Sequence, residues 1–428
     1  MILKPKKYRK RIIDKKISEN LKIFGALCIE GPKWCGKTWT ALNHANSVIY
    51  IGNPERNFQN RTLASLDPLS VLKGEYPRLI DEWQEVPSLW DAVRFEVDKN
   101  AIRGQFILTG SSTPQHKGIL HSGTGRIDKI KMRTMSLYES SDSSGDVSLI
   151  ELFDNKVKTQ QTKKVSLEEL IEFVVRGGWP MSLGLSEEQY TKIPQSYIES
   201  IITDDLEKLD GIKREQKKIR ALFKSLARNE STLASNKVLK NDILEFEKES
   251  ISEDIIPVYL DLLDRMFLIE NQPSFNPNYR SKDRVAKSPK RHFIDPSLAV
   301  AALGLSSKML YNDLEFFGLL FESLVIRDLR IYADAHSGKV YHYKHFDTNH
   351  EIDAIVELQD GRWIAIEIKL GANQIDEAAK KLLKINESLK KDPKASRPCA
   401  LVIICGLLDV TYKREDGVIV IPLTSLKP

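Results

Sequence analysis

The stretch GPKWCGKT, residues 31–38, has the spacing G-x-x-x-x-G-K-[ST] of a loop that binds nucleotide phosphates. It follows the apolar run ALCIE and precedes a predicted helix that begins near Thr38. Two glycines allow a tight turn whose backbone N–H groups face the phosphates, and the helix dipole favours their charge. Lys37 is placed to contact the β- and γ-phosphates, and Thr38 to bind Mg²⁺. The predicted nucleotide-binding residues of this loop are Gly31, Pro32, Lys33, Trp34, Cys35, Gly36, Lys37 and Thr38.

Acidic and polar residues follow two further apolar runs. RLIDEWQ ends its apolar part at Asp81 and Glu82, and QFILTGSS ends at Thr109 to Ser112. Strand ends of this kind predict that Asp81 lies in the coordination shell of Mg²⁺ and that Glu82 aligns or deprotonates the attacking water. Thr109 is predicted to lie between the two motifs and to contact the nucleotide. For any one of these residues, a simple turn that caps a strand is an equally good interpretation.

The stretch RWIAIEIKLG, residues 362–371, predicts a β-strand that carries a Glu and a Lys two positions apart. A period of two places Trp363, Ala365, Glu367 and Lys369 on one face and three isoleucines on the other. Charged groups are costly to bury unless they are paired or bind a metal. The pair therefore has either a chemical role or a harmless position at a solvated edge, and this stretch alone favours neither.

Two acidic residues upstream complete a set with this pair. Glu322 lies in the predicted helix FFGLLFESLVIRDL, and Asp353 lies in the predicted strand of EIDAIVELQDG. A helix Glu, a strand Asp and Glu-x-Lys on the next strand resemble the site of PD-(D/E)XK nucleases. The resemblance implies that Asp353 and Glu367 bind Mg²⁺ and that Glu322 supports the metal shell. It also implies that Lys369 orients or helps to deprotonate the attacking water.

The loop between the two strands decides whether the carboxylates of this set meet. A two-residue turn at Asp360 and Gly361 would pair Asp353 with Ile368 and point it away from the face of Glu367. A three-residue loop with Gly361 in the left-handed conformation pairs Asp353 with Glu367, and directly opposed Cβ atoms lie about 5 Å apart. The nuclease resemblance therefore predicts an odd-length loop or a bulge.

The order of the first motifs resembles that of AAA+ ATPases: a P loop, an Asp-Glu pair, and then a strand ending in a polar residue. In GTGRIDKIKMRTMSLYES, Arg126 precedes the last predicted core strand and resembles an arginine that senses nucleotide or acts in trans. Arg133 competes with it for this role. An arginine that acts in trans requires a homo-oligomer.

Over nearly the whole chain, the two motif sets and RGGWP at residues 176–180 resemble a group of prokaryotic proteins. These are AAA+ P-loop ATPases with a C-terminal PD-(D/E)XK nuclease-like domain of unknown function. The resemblance implies ATP and Mg²⁺ as cofactors and DNA as a partner. Fold-level kinship does not fix a biological role.

The elements that must position these residues predict an α/β multidomain chain. FGALCIE, SVIYI, PRLIDE and QFILTG are the predicted strands of an N-terminal AAA+ P-loop α/β domain, residues 1–150. The polar stretch ESSDSSGDVS predicts a loop or linker. A second pattern of helix, strands, helix and strands predicts a C-terminal α/β PD-(D/E)XK-like domain, residues 301–428.

The middle of the chain, residues 151–300, is predicted to be a helical linker and a winged helix-turn-helix-like domain. Three short helices followed by a short strand give this pattern, and a generic helical bundle gives it equally well. The run NYRSKDRVAKSPKRHF suits either a solvated hairpin or a surface that contacts phosphates. Its basic residues are Arg280, Lys282, Arg284, Lys287, Lys290, Arg291 and His292.

The amino-acid composition indicates how many domains the chain forms and in which compartment the protein is expected. With 428 residues, 29% of them charged, and a net charge of +5, the chain is expected to form several domains and to carry local basic patches. Its four cysteines lack CxxC spacing and a His cluster, which argues against a zinc site and favours a reducing cytosol. CALVIICGLL is about half the length of a membrane helix. No apolar segment follows the basic N-terminus, so we expect a soluble cytoplasmic protein without a secretory signal.

Two functions of different class remain open at this point. The leading one is a Mg²⁺-dependent ATPase that binds DNA through its middle and C-terminal domains and cuts it at the C-terminal site. The alternative is a nucleotide-controlled DNA-binding regulator, or an interaction protein, whose nuclease-like domain is not catalytic.

Overall fold

The structure, a computed structural model, describes residues 5–113, 119–278, 288–345, 350–391 and 393–428. The chain divides into two compact units. The first consists of Met1–Thr134, Asp205–Ile212 and Asp261–Leu268, and the second of Met135–Asp204, Lys213–Leu260 and Ile269–Pro428. Two short central segments thus belong to the first unit. The division into three domains at residues 150 and 300 stays a prediction.

The first unit contains a parallel sheet of five strands in the order β2-β3-β4-β1-β5. The first four are the predicted strands, and apolar runs of this kind suit a parallel sheet that is buried on both faces. The strands are β1 (Ala26–Glu30), β2 (Ser47–Tyr50), β3 (Arg78–Asp81), β4 (Phe106–Gly110) and β5 (Ile127–Lys131). The α-helices assigned to this unit are Ile13–Asn20, Lys37–His44, Glu55–Leu66, Ser88–Asn100 and Leu206–Asp210.

This strand order brings the predicted nucleotide motifs together. β4 lies between β1 and β3, so the carboxyl ends of the three strands are adjacent at one edge of the sheet. Ligands of open parallel sheets bind at this edge. The P loop, the Asp-Glu pair and Thr109 therefore share one end of the first unit.

The first part of the second unit is helical, as predicted. Helix Leu167–Arg176 begins with a capping box between Ser166 and Glu169, which satisfies two free backbone donors. The α-helices of the whole unit are Leu137–Ser140, Leu149–Phe153, Leu167–Arg176, Glu187–Tyr190, Lys192–Ser200, Gln216–Arg228, Asn236–Asp242, Pro296–Leu303, Ser307–Asn312, Leu314–Asp334 and Ile375–Lys390. A further helix, Ile255–Arg265, is divided between the two units.

The region predicted to be a winged helix-turn-helix contains three consecutive helices and then isolated strand pairing. Bridges join Ile269 to Phe293 and Gln272 to Lys290. The winged-helix assignment stays a prediction. Of the basic run, Arg280, Lys282, Arg284 and Lys287 lie outside the described residues. Lys290 and His292 are buried, so the solvated-hairpin interpretation is wrong for these two.

The RGGWP motif connects parts of the second unit. A Cβ on Gly178 would lie 2.1 Å from the carbonyl oxygen of Met135, so only glycine fits there. The Gly178 N–H donates to Asp295, and the indole N–H of Trp179 donates to Ser297 at 2.9 Å. The motif therefore has a structural role in this unit.

The second unit also contains a sheet of seven strands in the order β7-β12-β13-β11-β10-β9-β8. Its long helix Leu314–Asp334, three antiparallel strands, helix Ile375–Lys390 and further strands follow the predicted order. The seven strands are β7 (Gln160–Gln161), β8 (Lys339–His345), β9 (His350–Glu357), β10 (Trp363–Gly371), β11 (Ala400–Leu407), β12 (Val410–Lys413) and β13 (Ile419–Pro422). Because β10 lies between β9 and β11, the alternative of a solvated edge for RWIAIEIKLG is wrong.

The stretch ESSDSSGDVS is not a free linker. Its last two residues belong to β6 (Val147–Ser148), which pairs with β14 (Leu426–Lys427) near the end of the chain. Ser143 donates to the carbonyl of Leu426 at 2.7 Å. The polar residues of this stretch thus fix it within the second unit.

Candidate functional sites

The P loop is shaped by its two glycines. A Cβ on Gly31 would lie 2.1 Å from the carbonyl oxygen of Met132, a contact that no other residue could make. Gly36 has φ of 102°, in the left-handed region, and stands at the start of helix Lys37–His44. This helix begins one residue before the predicted position. The loop therefore has the local structure that its spacing predicts.

Two lysines of the loop have different partners. Nζ of Lys37, which is buried, donates to the carbonyl of Pro32 at 2.7 Å, and its charge opposes the rise in the pKa of nearby Asp81. Nζ of Lys33 lies 2.7 Å from Oδ1 of Asp205, from the short central segment of the first unit. Trp34 has φ of 64° and a half-exposed side chain. Lys37 is thus buried at the start of the helix, where the sequence predicts a cation for the phosphates.

The carboxylate of Asp81 contacts residues from the two other predicted motifs. Oδ1 of Asp81 accepts a hydrogen bond from Oγ1 of Thr38 at 2.8 Å and one from Oγ1 of Thr109 at 2.7 Å. Burial raises the pKa of Asp81, although the bonds from Thr109 and Thr38 oppose the rise. The structure therefore brings together the three residues that the sequence predicted from separate segments.

Glu82 is held beside this carboxylate by Thr109, by Ser111 from the predicted strand end, and by Gln84, which the sequence reasoning missed. Its N–H donates to Oγ1 of Thr109 at 3.3 Å. Its Oε2 accepts hydrogen bonds from Ser111 at 3.1 Å and from Gln84. Both partners follow the carboxyl ends of β3 and β4, which was the available signal for them. Glu82 is thus oriented at the same edge of the sheet as the P loop.

A second missed group supports the P loop from the N-terminal segment. Arg11 is buried, and its guanidinium donates to the carbonyl of Cys35 at 2.8 Å, of Arg133 at 2.9 Å and of Thr134 at 3.2 Å. The Arg11 N–H donates to Asp14 at 2.7 Å. Arg11 therefore fixes the backbone of the loop to the end of β5.

Asp14 extends this support to the helix after the P loop. It accepts hydrogen bonds from Tyr8 at 2.9 Å and contacts Nε2 of His44 at 2.7 Å. Tyr8 also donates to Thr40 at 3.1 Å. Burial opposes ionisation of Asp14, but the bonds from His44, Arg11 and Tyr8 lower its pKa below the ordinary value. The sequence offered only a basic stretch as a signal for this group.

The two candidate arginines lie at opposite ends of β5. Arg126 precedes the strand and donates to Asp98 at 2.7 Å. The five residues of β5 separate it from the edge that carries the P loop, a distance of roughly 16 Å. Arg133 follows the strand and lies at that edge. The structure therefore does not bring Arg126 to the nucleotide site of its own chain.

The hairpin between β9 and β10 has the predicted form. The pairs Glu357 with Trp363 and Ala354 with Ile366 set the register. Leu358 and Arg362 close a loop of three residues, in which Gly361 has φ of 85°. Continued by one step, this register places Asp353 opposite Glu367, as the argument from parity requires.

Asp353 and Glu367 both form ion pairs with lysines. Nζ of Lys369 lies 2.9 Å from Oε2 of Glu367 and 3.3 Å from Oδ2 of Asp353. The other oxygen of Glu367 lies 2.8 Å from Nζ of Lys381. Neither oxygen of Glu367, which is fully buried, accepts a well-aligned hydrogen bond. Oδ2 of Asp353 also accepts from the N–H of Ile368 at 2.8 Å.

Glu322 joins the same group through Lys290. Nζ of Lys290, which is buried, lies 3.0 Å from Oε1 of Glu322 and 2.9 Å from Oε1 of Glu351. Nζ of Lys344 lies 3.7 Å from the other oxygen of Glu351. We call these eight residues the carboxylate–lysine cluster: Lys290, Glu322, Lys344, Glu351, Asp353, Glu367, Lys369 and Lys381.

Burial and pairing shift the cluster's pKa values in different directions. Burial raises the pKa of Glu322 to about 7, although Lys290 opposes the rise. Burial also raises the pKa of Glu367, assisted by the nearby charge of Asp353. Asp353 is buried as well, but Lys369 and Lys290 lower its pKa. The carboxylates raise the pKa of Lys290 despite its burial, so it stays charged.

The two candidate metal sites differ in how well they suit Mg²⁺. At the P loop, the hydroxyl of Thr38 and the carboxylate of Asp81 are adjacent oxygen donors, which fit Mg²⁺ held together with nucleotide phosphates. In the cluster, lysines contact the predicted ligands Asp353 and Glu367. Within the part of the chain that the structure describes, no three or more His, Cys, Asp or Glu side chains are arranged to hold a metal ion.

Comparisons with known proteins match a described domain family over the region of the first site. Residues 24–141 match a family model described as an AAA domain. Residues 167–309 and 317–426 match two models described as domains of unknown function, DUF8612 and DUF4143. Two uncharacterized proteins, from Mycobacterium bovis and Mycobacterium tuberculosis, are each 24% identical over 344 residues, 80% of this chain and 69% of the relative. A Walker-type ATPase of Pyrococcus abyssi matches with a TM-score of 0.42 and 14% identity, over 71% of this chain and 99% of that one.

The AAA-domain match spans β1 to β5 and includes the P loop, Asp81 and Thr109. The two matches in the rest of the chain carry no named activity. Across the described residues, no helix is both long and apolar enough to cross a membrane. Residues 24–141 are therefore similar to AAA domains, and they contain the motif and the local geometry of a P loop.

Proposed function

We propose that the protein is a Mg²⁺-dependent ATPase that hydrolyses ATP at the P loop of its first unit. The observation that carries the proposal is the carboxylate of Asp81, which accepts hydrogen bonds from both Thr38 and Thr109. This contact unites three segments that lie far apart in the sequence. The AAA-domain match supports nucleotide hydrolysis as the reaction.

Each residue of this site has a role in the proposal. The backbone N–H groups of the P loop, which Pro32 lacks, and the ammonium of Lys37 bind the phosphates. Thr38 and Asp81 hold Mg²⁺, which neutralises charge on the transferred phosphoryl group. Glu82 orients or deprotonates the attacking water, and Ser111 and Gln84 fix its carboxylate.

An arginine supplied in trans belongs to the same proposal. Arg126 lies far from its own P loop, so it acts on a neighbouring copy if it acts at all, and that requires a homo-oligomer. Arg133 is the rival, because it lies at the edge of the sheet that carries the P loop. ATPase activity that rises with protein concentration and is lost in Arg126→Ala supports action in trans.

We infer that the second unit and its helices contact DNA in a nucleotide-dependent way. The support is the predicted winged helix-turn-helix pattern and the basic run, apart from its buried Lys290 and His292. A cytoplasmic location remains part of this proposal. The proposal of DNA contact is refuted if the wild-type protein binds no DNA in any nucleotide state tested. That result would favour a protein-interaction module.

The carboxylate–lysine cluster has two proposed uses. In the first, Asp353 and Glu367 bind Mg²⁺ with support from Glu322, and the second unit cuts DNA. In the second, the unit binds DNA without cutting it. The pairing of both Asp353 and Glu367 with ammonium groups favours the second use.

The ATPase proposal is tested by phosphate release from purified protein with Mg²⁺, with and without DNA. We expect turnover in the wild type and none in Lys37→Ala, because the β- and γ-phosphates lose their cation. Thr109→Val should reduce kcat about tenfold or more, since one hydrogen bond to a charged group contributes about 1.5–3 kcal/mol. Lys15→Ala is the control, because Lys15 is exposed and 3.9 Å from Glu19. A wild-type protein without turnover would exclude the proposal.

A further inference from the structure

We propose that the carboxylate–lysine cluster is a metal-free ion-pair site in which the ammonium of Lys290 takes the position of a divalent cation. The second unit would then engage its partner without metal-dependent cleavage. This inference rests on the second unit alone and does not depend on ATP hydrolysis. It decides between the two uses proposed for the cluster.

Lys290 is held in place by backbone as well as by charge. Its N–H and carbonyl exchange hydrogen bonds with Gln272 at 3.0 and 2.8 Å. The side-chain amide of Gln272 donates in turn to the carbonyl of Asp353 at 3.0 Å and to that of Tyr341 at 2.9 Å. One residue therefore fixes the backbone of Lys290 to that of Asp353. The lysine is 3% exposed, so it is not a mobile surface side chain.

The distances around Lys290 leave no separate place for a metal on the same oxygens. Its ammonium lies 3.0 Å from Glu322 and 2.9 Å from Glu351. Mg²⁺ or Ca²⁺ would lie about 2.0–2.6 Å from carboxylate oxygens, within direct repulsion of an ammonium that contacts those oxygens. Binding of a metal between Glu322 and Glu351 therefore requires that Lys290 leave.

The other carboxylates are neutralised in the same way. Lys369 bridges Asp353 and Glu367, and Lys381 contacts the remaining oxygen of Glu367. Four carboxylates thus face four lysines in the described part of the cluster, when Lys344 beside Glu351 is included. Buried carboxylates need pairing or a metal, and here each of the four has an ammonium within 3.3 Å, although the oxygens of Glu367 accept no well-aligned hydrogen bond.

The first test measures Mn²⁺ binding to the full-length protein without nucleotide, by electron paramagnetic resonance and by calorimetry. A Mn²⁺ site that Asp81→Asn removes belongs to the first unit. We expect no Mn²⁺ signal that depends on Asp353 or Glu367. A wild-type Mn²⁺ site lost in both Asp353→Asn and Glu367→Gln would overturn the proposal, as would plasmid nicking that needs Mg²⁺ or Mn²⁺ and is lost in Asp353→Asn.

The second test removes the proposed cation. Lys290→Met keeps most of the unbranched side chain, leaves Glu322 and Glu351 without their shared ammonium, and removes a positive charge that acts on Asp353. We expect this variant to gain a Mn²⁺ site, with an affinity at least tenfold above that of the wild type, and a melting temperature that rises with Mn²⁺. The matched control, Lys344→Met, removes only a contact of 3.7 Å and should gain no such site.

The outcomes of the second test are read together with folding and ATPase assays. A folded Lys290→Met protein that gains no Mn²⁺ site refutes the assignment of the cation position to Lys290. If this variant does not fold, the wild-type Mn²⁺ and nicking measurements still decide. Loss of ATPase activity in any preparation bears on the proposed function and leaves this inference unchanged.

Discussion

Arg11 supports the P loop through the backbone, and Arg11→Met should weaken ATP binding without replacing any residue that is predicted to contact the nucleotide. The guanidinium donates to the carbonyls of Cys35, Arg133 and Thr134 at 2.8 to 3.2 Å. Methionine keeps much of the apolar stem and removes all three donors. The carbonyl of Cys35, inside the loop, then loses the donor that fixes its direction.

The size of the effect follows from these bonds. A hydrogen bond that involves a charged group contributes about 1.5–3 kcal/mol, and three bonds from one guanidinium are not additive. We therefore expect a loss of about 3–5 kcal/mol in the free energy of unfolding of the first unit. If about 1.4 kcal/mol of this loss falls on the loop conformation that binds phosphate, the Kd for ATP rises about tenfold.

Titration with a fluorescent ATP analogue, together with chemical denaturation, measures both quantities. Arg11→Lys should fall between the wild type and Arg11→Met, because one ammonium can reach only some of the three carbonyls. Lys15→Ala, on the exposed face of helix Ile13–Asn20, should change neither quantity. A folded Arg11→Met protein with the wild-type Kd for ATP would show that Arg11 does not hold the loop.

Three further perturbations probe other parts of the chain. Burial raises the pKa of Glu230 to about 8, so the folded protein keeps a proton that the unfolded chain loses, and stability should fall as pH rises from about 4.5 to about 8. Glu230→Gln should reduce this fall in denaturation measured at several pH values; an unchanged slope contradicts the assignment. Asp205→Asn removes the carboxylate beside Lys33 of the P loop and should lower the Kd for ATP about threefold or more, whereas a higher Kd would mean that the pair supports the loop. Gly361→Ala should reduce stability by about 1 kcal/mol, because φ is 85° there, while Gly318→Ala should increase it by up to about 1 kcal/mol, because its Cβ would meet nothing within 4 Å in the helix. Equal melting temperatures for the two variants would refute that contrast.

The predictions that succeeded depend on local sequence patterns. The strand β10 and the three-residue loop before it follow from a period of two and from the one residue, Gly361, that tolerates positive φ. The P loop follows from the positions of its glycines and from the strand and helix around it. Such features depend on a few neighbouring residues, so the sequence contains nearly all the information that they need.

The sequence could not reveal contacts between distant segments where no motif marked either partner. Lys290 occurs in a basic run, and only its pairing with Gln272 and its contacts with Glu322 and Glu351 show that it is buried. Arg11 lies in another basic run, more than a hundred residues from Arg133 and Thr134, which accept its hydrogen bonds. A run of positive charge predicts a solvated or phosphate-binding surface, and the partner that overrides this prediction lies elsewhere in the chain.

Lys37 of the P loop and the lysines of the carboxylate–lysine cluster have different partners, and this difference indicates where an anionic ligand can bind. The ammonium of Lys37 donates to a neutral carbonyl, so an incoming triphosphate displaces a hydrogen bond there, although the charge of Asp81 also acts on this ammonium. Lys290, Lys369 and Lys381 already contact carboxylates, so an anionic ligand would have to compete with Glu322, Asp353 or Glu367 for them. Breaking a buried pair by removing one partner costs about 3–5 kcal/mol, so the cluster resists such a change. Nucleotide is therefore expected to change the first unit, while the cluster keeps its arrangement.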